Sequence, residues 1–180
     1  MISNLTLILG GARSGKSSHA QHLAEATGKS VTFLATAQAL DEEMARRIQK
    51  HRLERPAGWQ TLEISLGVAS HIQAIKSDVV ILDCITLLVN NLLMQFVKDD
   101  LVEETPFTQA VQKEVNALIT TIREKEGHWM IISNEVGLGL VPAYQMGRVY
   151  RDVLGWANQR LAREADNVIF MVAGIPTVIK

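Results

Sequence analysis

Two stretches of the sequence hold residues whose types and spacing suit work on phosphate. The first is GGARSGKS, residues 10–17, which fits the pattern G-x-x-x-x-G-K-[ST]. Gly10 and Gly15 are its fixed glycines, with Gly11, Ala12, Arg13 and Ser14 between them. Glycines let the chain wrap closely, so that backbone N–H groups point into one concavity. A helix opening just after the loop adds partial positive charge at the same place. In such a cradle Lys16 reaches the outer phosphates and the Ser17 hydroxyl ligates Mg2+. The setting agrees, because the strand-like LTLIL precedes the loop and a helical pattern follows it. A chance glycine-rich turn with an exposed lysine has no reason to fall in that register.

The second stretch is RRIQKHRLERPAGW, residues 46–59. It holds His51 among Arg46, Arg47, Lys50, Arg52 and Arg55. Nearby cations disfavour a protonated imidazole, and a neutral imidazole is a competent nucleophile toward phosphorus. The same cations would neutralise a triphosphate. On a helix from about Asp41, with Asp41 as N-cap and Glu42 and Glu43 in the first turn, Met44, Ile48 and His51 share one stripe. That placement equally suits a structural histidine on a packed face, beside a solvated basic surface offset by Glu43 and Glu54. The residues alone leave the two readings evenly balanced.

A phosphate cradle in a parallel sheet calls for an acidic residue at the end of another strand, near the metal. VVILDC supplies Asp83, whose alternative role is to cap a helix starting near Thr86. Ligands of open α/β sheets collect beyond the carboxyl ends of the strands, where Thr36, Asp83, Asn134 and Glu135 would all lie. Cys84, the one cysteine, sits in an apolar run and reads as a small buried thiol.

The elements that must position these residues follow from periodicity. Continuous apolar runs at 5–9, 31–35, 79–82, 129–133 and 168–172 suit strands covered on both faces. Helical patterns lie between them, at about 16–27, 41–52, 86–96, 106–126 and 144–165. This alternation predicts an α/β fold with a mostly parallel sheet. VKDDLVEETP, residues 97–106, is the most polar connection and reads as an exposed loop before a helix. A chain of 180 residues is enough for one well-buried domain. Its net charge of -1 offers no bulk attraction to nucleic acid or to an anionic membrane. No apolar run reaches the roughly 18 residues of a membrane span. MISN leads straight into a strand-like run without a basic leader, and no internal disulfide can form, so cytoplasm is the expected compartment.

Taken together, these motifs resemble the bifunctional adenosylcobinamide kinase/adenosylcobinamide-phosphate guanylyltransferases of cobalamin assembly. The resemblance covers nearly the whole chain. It rests on GGARSGKS at 10–17, LATAQALDEEMARRIQKHRLERPAGWQTLE at 34–63, LDCIT at 82–86, NEVGLGLVP at 134–142 and GWANQRLAREAD at 155–166. The second and fourth are not general features of phosphate-cradle proteins. The fold class implied is α/β, a single P-loop NTPase-type domain over residues 1–180, its mostly parallel central sheet flanked by helices in the RecA-like manner.

The resemblance implies two reactions. ATP or GTP phosphorylates the aminopropanol hydroxyl of adenosylcobinamide. GTP then donates GMP to that phosphate through a guanylylated histidine, and pyrophosphate leaves. The histidine's position matches His51, with Lys16 as the second catalytic residue. The implied nucleotide contacts are residues 10–17, then Thr36, Ala37 and Gln38, then Arg52, Leu53, Glu54 and Arg55, and lastly Glu63 and Asp83. The implied Mg2+ ligands are Ser17 and Asp83. Relatives often carry Glu at the position of Asp83, Thr at that of Leu9, and some carry a second histidine at that of Lys50. A homotrimer is also implied. For the hydroxyl proton in the kinase step, Glu135, Asp83 and Glu63 are the candidates. Arg148 and Arg151 open the last long helix and could meet a substrate phosphate, though surface ion pairs are the commoner fate of such residues. Nothing like an NKxD guanine-reading motif is present, so guanine selectivity rests on the resemblance. Two other functions fit a phosphate cradle alone: a simple small-molecule kinase with a structural His51, and a nucleotide-binding switch without transfer chemistry.

Overall fold

Each of the five apolar runs forms a strand, and each strand feeds its carboxyl end toward the same edge. The computed structural model describes residues 4–39, 41–53 and 55–180, with Arg47 described by its backbone alone. In chain order the elements are β1 (Asn4–Gly10), α1 (Lys16–Ala26), β2 (Val31–Ala35), α2 (Glu42–Leu53), β3 (Gln60–Glu63), α3 (Val68–Ile72), β4 (Val79–Asp83), α4 (Ile85–Leu93), β5 (Val97–Lys98), β6 (Leu101–Val102), α5 (Glu104–Arg123), β7 (His128–Ile132), α6 (Gln145–Glu164), β8 (Asn167–Val172) and β9 (Ile175–Val178). The main sheet has the order β3-β2-β4-β7-β1-β8-β9. Every pairing in it is parallel except β8 with β9.

The strands read as unbroken apolar runs because both faces of the sheet are covered. On one face Leu5, Leu7, Leu34, Val80, Leu82, Trp129, Ile131 and Val168 pack with α3, α4, α5 and α6. On the other, Ile8, Phe33, Ile81, Met130, Ile132 and Met171 pack with Ala20 and Ala24 of α1. The small alanines let α1 lie close against the sheet, which sets the start of α1 directly above the end of β1. Among the described residues no helix is long and apolar enough to cross a membrane.

Helix α2 differs from its neighbours. Its start is capped as expected, with the Met44 N–H donating to Asp41 Oδ1 at 2.7 Å. No described side chain in it is buried, however; Met44 and Ile48 are half-buried and His51 is exposed. The expected stripe therefore stops one turn short of His51. Half of the helix is charged, with Glu42, Glu43, Arg46, Arg47, Lys50 and Arg52 among its 12 residues, so little apolar area is left to bury.

The polar stretch at 97–106 is a hairpin rather than a loop. Val97 pairs with Val102 and Lys98 with Leu101. Asp99 and Asp100 turn the chain with φ of 50° and 62°. Left-handed conformations at both central residues give the two-residue turn that matches strand twist, and aspartate tolerates them. Pro106 does not delay α5, because a proline in the first helical turn removes an N–H that has no helical partner.

Candidate active site

The loop after β1 closes into a cradle that Lys16 spans from within. Lys16 Nζ donates to the carbonyl oxygens of Gly10 at 3.1 Å and Gly11 at 2.6 Å, and approaches Ser14 Oγ at 3.5 Å. The side chain is buried, and that burial lowers its pKa from the ordinary lysine value. Gly15 takes φ 91° at the N-cap of α1, leaving the first N–H groups of the helix open toward the loop. Gly10 is required by space as well as by conformation. A Cβ there would lie 2.6 Å from both the Met171 carbonyl oxygen and Ser14 Oγ. The turn between β8 and β9 forms the outer wall, with the Gly174 N–H donating to the Ser14 carbonyl at 3.1 Å. Neither Met171 nor Gly174 was singled out by motif. The only local signal is a glycine turn ahead of IPTV, and sequence alone does not say where that turn packs.

Asp83 ends β4, with β7 standing between it and β1. The Ser17 hydroxyl nonetheless reaches it, donating to Asp83 Oδ2 at 2.6 Å. The N-cap of α4 is Cys84, not Asp83. A hydroxyl and a carboxylate side by side are hard oxygen donors and fit Mg2+, whose remaining ligands would be phosphate oxygens and water. Thr36 fixes this edge from below. Its Oγ1 donates to the Cys84 carbonyl at 2.7 Å and accepts from the Cys84 N–H at 2.8 Å, while its own N–H donates to the Asp83 carbonyl at 3.0 Å. Thr36 is thus fully engaged with the protein, whereas Ala37 and Gln38 beyond it are half-buried. The Cys84 thiol is pushed up to about 12 by burial and stays protonated, a core group rather than a nucleophile.

Arg52 in the last turn of α2 and Arg55 just beyond it approach the same edge from the side of β2 and β3. The Arg55 guanidinium lies 3.8 Å from the centroid of Phe33 and donates through Nη1 to Thr61 Oγ1 at 3.3 Å. Burial lowers its pKa, opposed by the nearby carboxylates of Asp83 and Glu63. Its Nε is buried and has no partner among the described residues. Arg52 Nη1 stands 3.8 Å from Glu63 Oε1, an exposed pairing. Gln49, Arg52, Leu53, Arg55 and Ala57 line a shallow pocket here. His51 precedes them on the exposed end of α2, with no hydrogen bond to the cradle. Glu54 and the side chain of Arg47 lie outside the described residues.

The segment after β7 forms the remaining wall. The Ser133 N–H donates to the Ile8 carbonyl at 3.0 Å and the Glu135 N–H to the Gly10 carbonyl at 3.1 Å, so β7 leads directly to the cradle. The Asn134 N–H donates to Thr86 Oγ1 at 2.7 Å. Asn158 Nδ2 of α6 donates to the Asn134 carbonyl at 3.0 Å, and the Tyr150 hydroxyl to the Thr86 carbonyl at 2.9 Å. Sequence reasoning missed this bracing by Thr86, Tyr150 and Asn158, because helix-borne polar residues look alike until their partners are known. Arg148 is engaged by carbonyls of the preceding loop and Arg151 by Asp152.

The cradle, the carboxylate beside its serine and the separate arginine-flanked histidine can be set against known proteins. Residues 6–179 match the model of the CobU family, described as cobinamide kinase / cobinamide phosphate guanyltransferase. The chain belongs to this family. Within the family it is 43% identical over 176 residues to the bifunctional adenosylcobalamin biosynthesis protein CobP of Pseudomonas aeruginosa, covering 97% of this chain and 96% of the relative. It is 39% identical over 181 residues to the bifunctional adenosylcobalamin biosynthesis protein CobU of Escherichia coli K12, covering 98% and 99%. Among solved structures, the RadB recombinase superimposes with a TM-score of 0.52 at 12% identity, over 94% of this chain and 74% of that one. The flagellar accessory protein FlaH of Methanocaldococcus jannaschii gives 0.50 at 17% identity, over 99% and 79%. These two likenesses show that this CobU-family chain has the RecA-like P-loop fold, and nothing of its chemistry.

Proposed function

We propose that this chain phosphorylates adenosylcobinamide with ATP or GTP and then transfers GMP from GTP to the resulting phosphate, giving adenosylcobinamide-GDP and pyrophosphate. The observation that carries this reading is the separation of two phosphate-directed groups on one scaffold, in a chain matched by the family over residues 6–179. One group is the Lys16–Ser17–Asp83 cradle, and the other is the exposed His51 at the arginine-bearing end of α2. A simple kinase needs only the first.

In the kinase step the substrate hydroxyl oxygen attacks the γ-phosphorus, the β–γ bridging bond breaks, and the nucleoside diphosphate leaves. The loop N–H groups and Lys16 hold the phosphates, and Lys16 balances charge developing on the leaving oxygen. Ser17 and Asp83 would hold Mg2+, which when bound would supply further neutralisation of phosphate charge. The hydroxyl proton goes to one of Glu135, Asp83 or Glu63. Glu135 is favoured, because its own backbone is bonded to Gly10. In the second step a nitrogen of the His51 imidazole attacks the α-phosphorus of GTP. The N–P bond forms as the α–β bridging bond breaks, and pyrophosphate departs. An oxygen of adenosylcobinamide phosphate then takes the GMP group, breaking the N–P bond and freeing the imidazole. One difficult displacement becomes two easier ones. In this reading Arg52 and Arg55 meet triphosphate charge, and Ala37 and Gln38 line the nucleotide side; the buried Nε of Arg55, unpartnered among the described residues, supports it. A homotrimer in the cytoplasm, engaging small-molecule substrates and no nucleic acid, completes the reading.

Incubation with α-labelled GTP and Mg2+, followed by denaturing electrophoresis, tests it. Label should remain on the protein in base, be lost in acid, and be absent from His51→Ala, which should still move γ-phosphate from ATP to cobinamide. A wild-type protein that takes up no covalent label would refute the histidine step.

A further inference from the structure

The wall that continues from Glu135 ends in an apolar arch with no part in the core. Leu138 is 82% exposed, Leu140 96%, Val141 65% and Tyr144 63%. Four large apolar side chains held in water within seven residues carry a cost that neither the sheet nor the helices recover. No charged residue occurs from 136 to 144.

The arch is pinned at both ends. At the near end the Glu135 N–H is bonded to the Gly10 carbonyl of the cradle, and Glu135 Oε1 accepts the Gly137 N–H at 2.5 Å. At the far end Arg148 Nη1 donates to the carbonyls of Pro142 at 3.1 Å and Ala143 at 2.6 Å. Gly147 makes the close fit possible, since a Cβ there would fall 2.7 Å from the Tyr144 ring and 2.8 Å from Pro142 Cβ. A surface that is apolar, uncharged, fixed in shape and rooted on the phosphate cradle has the properties of a platform for the large apolar part of an acceptor.

We infer that residues 138–144 are the seat of the corrin ring, holding the macrocycle beside the cradle while its aminopropanol arm reaches in. The inference rests on the cobinamide reading of the function and adds to it the surface that selects a tetrapyrrole-type acceptor over a smaller alcohol. The ring offers a broad apolar face to the leucines and Tyr144, and its amide rim stays in water. Neither the triphosphate nor His51 is involved, so this surface governs the acceptor alone.

The test uses the full chain and the pair Leu138→Ser/Leu140→Ser, with Gly147→Ala as a second variant that displaces the arch without altering its exposed side chains. Adenosylcobinamide affinity is read by quenching of intrinsic fluorescence, GTP-dependent labelling by electrophoresis, and assembly by light scattering. The expected result is adenosylcobinamide binding weakened about tenfold or more in both variants, with GTP labelling and assembly as in the wild type. Wild-type affinity for the corrinoid in both variants would overturn the inference and leave the proposed function standing. A changed assembly state with unaltered corrinoid affinity would overturn it in favour of a contact between copies of the chain. A wild-type protein that neither binds nor phosphorylates adenosylcobinamide would remove the functional reading and the platform with it.

Discussion

At the residue scale the decisive contact is between the Ser17 hydroxyl and Asp83, 2.6 Å apart though far separated in sequence. It joins the first turn of α1 to the end of β4 and defines where a cation would sit. Asp83→Asn keeps the shape and removes the charge. The expected outcome is a fall in kinase turnover of at least about tenfold, partly restored by raised Mg2+. A Mg2+ titration of both proteins checks this, and identical curves would remove Asp83 from the metal site. The cradle and Asp83 were legible in the sequence because they belong to a contiguous motif and a strand end. The engagement of Thr36 with Cys84, and the bracing of Asn134 by Thr86 and Asn158, were not. Those bonds join elements whose adjacency depends on the strand order.

At the element scale the cradle depends on a close approach between two strands. Gly10→Ala places a methyl group against the Met171 carbonyl, which is backbone and cannot swing away. We expect a loss of about 1–3 kcal/mol in urea unfolding, together with weakened nucleotide binding. Unchanged stability would mean that β8 yields at this point. The central strands were readable because burial on both faces leaves unbroken apolar runs, as in VVILD of β4. The edge strands were not readable. In β3, QTLE offers neither an apolar run nor a clean alternation. In β9, IPTV contains a proline, which an edge strand accommodates and a central one does not. Helix α2 was placed correctly along the chain, but its packing was overestimated, since periodicity reports a stripe and not how far the stripe is covered.

At the scale of the whole molecule, the end of α5 is tied to the amino ends of the neighbouring strands β1 and β8. Asp166 accepts from Arg123 Nη1 at 3.0 Å and from the Leu5 N–H at 2.7 Å, joining α5, β1 and the entry to β8. The Arg123 hydrogen bond, followed by that from Leu5, holds the Asp166 carboxyl below the usual aspartate value. A carboxyl whose pKa is lowered on folding adds stability above its unfolded pKa, and that stability is lost as pH falls through the folded value. Asp166→Asn should therefore melt below the wild type at neutral pH, with the gap closing as the solution is acidified past the ordinary aspartate range. Thermal unfolding from pH 7 to pH 3 measures this. A gap that stays constant with pH would assign the effect to hydrogen bonding alone.

The cradle has a further property that concerns how the protein is made. Residues 10–17 acquire their outer wall from Met171 and Gly174, which a ribosome synthesises long after the motif itself has emerged. A nascent chain that displays the complete motif still lacks the surface that shapes it. The wall that packs against Gly10 and Ser14 is therefore the last part of the cradle to be made.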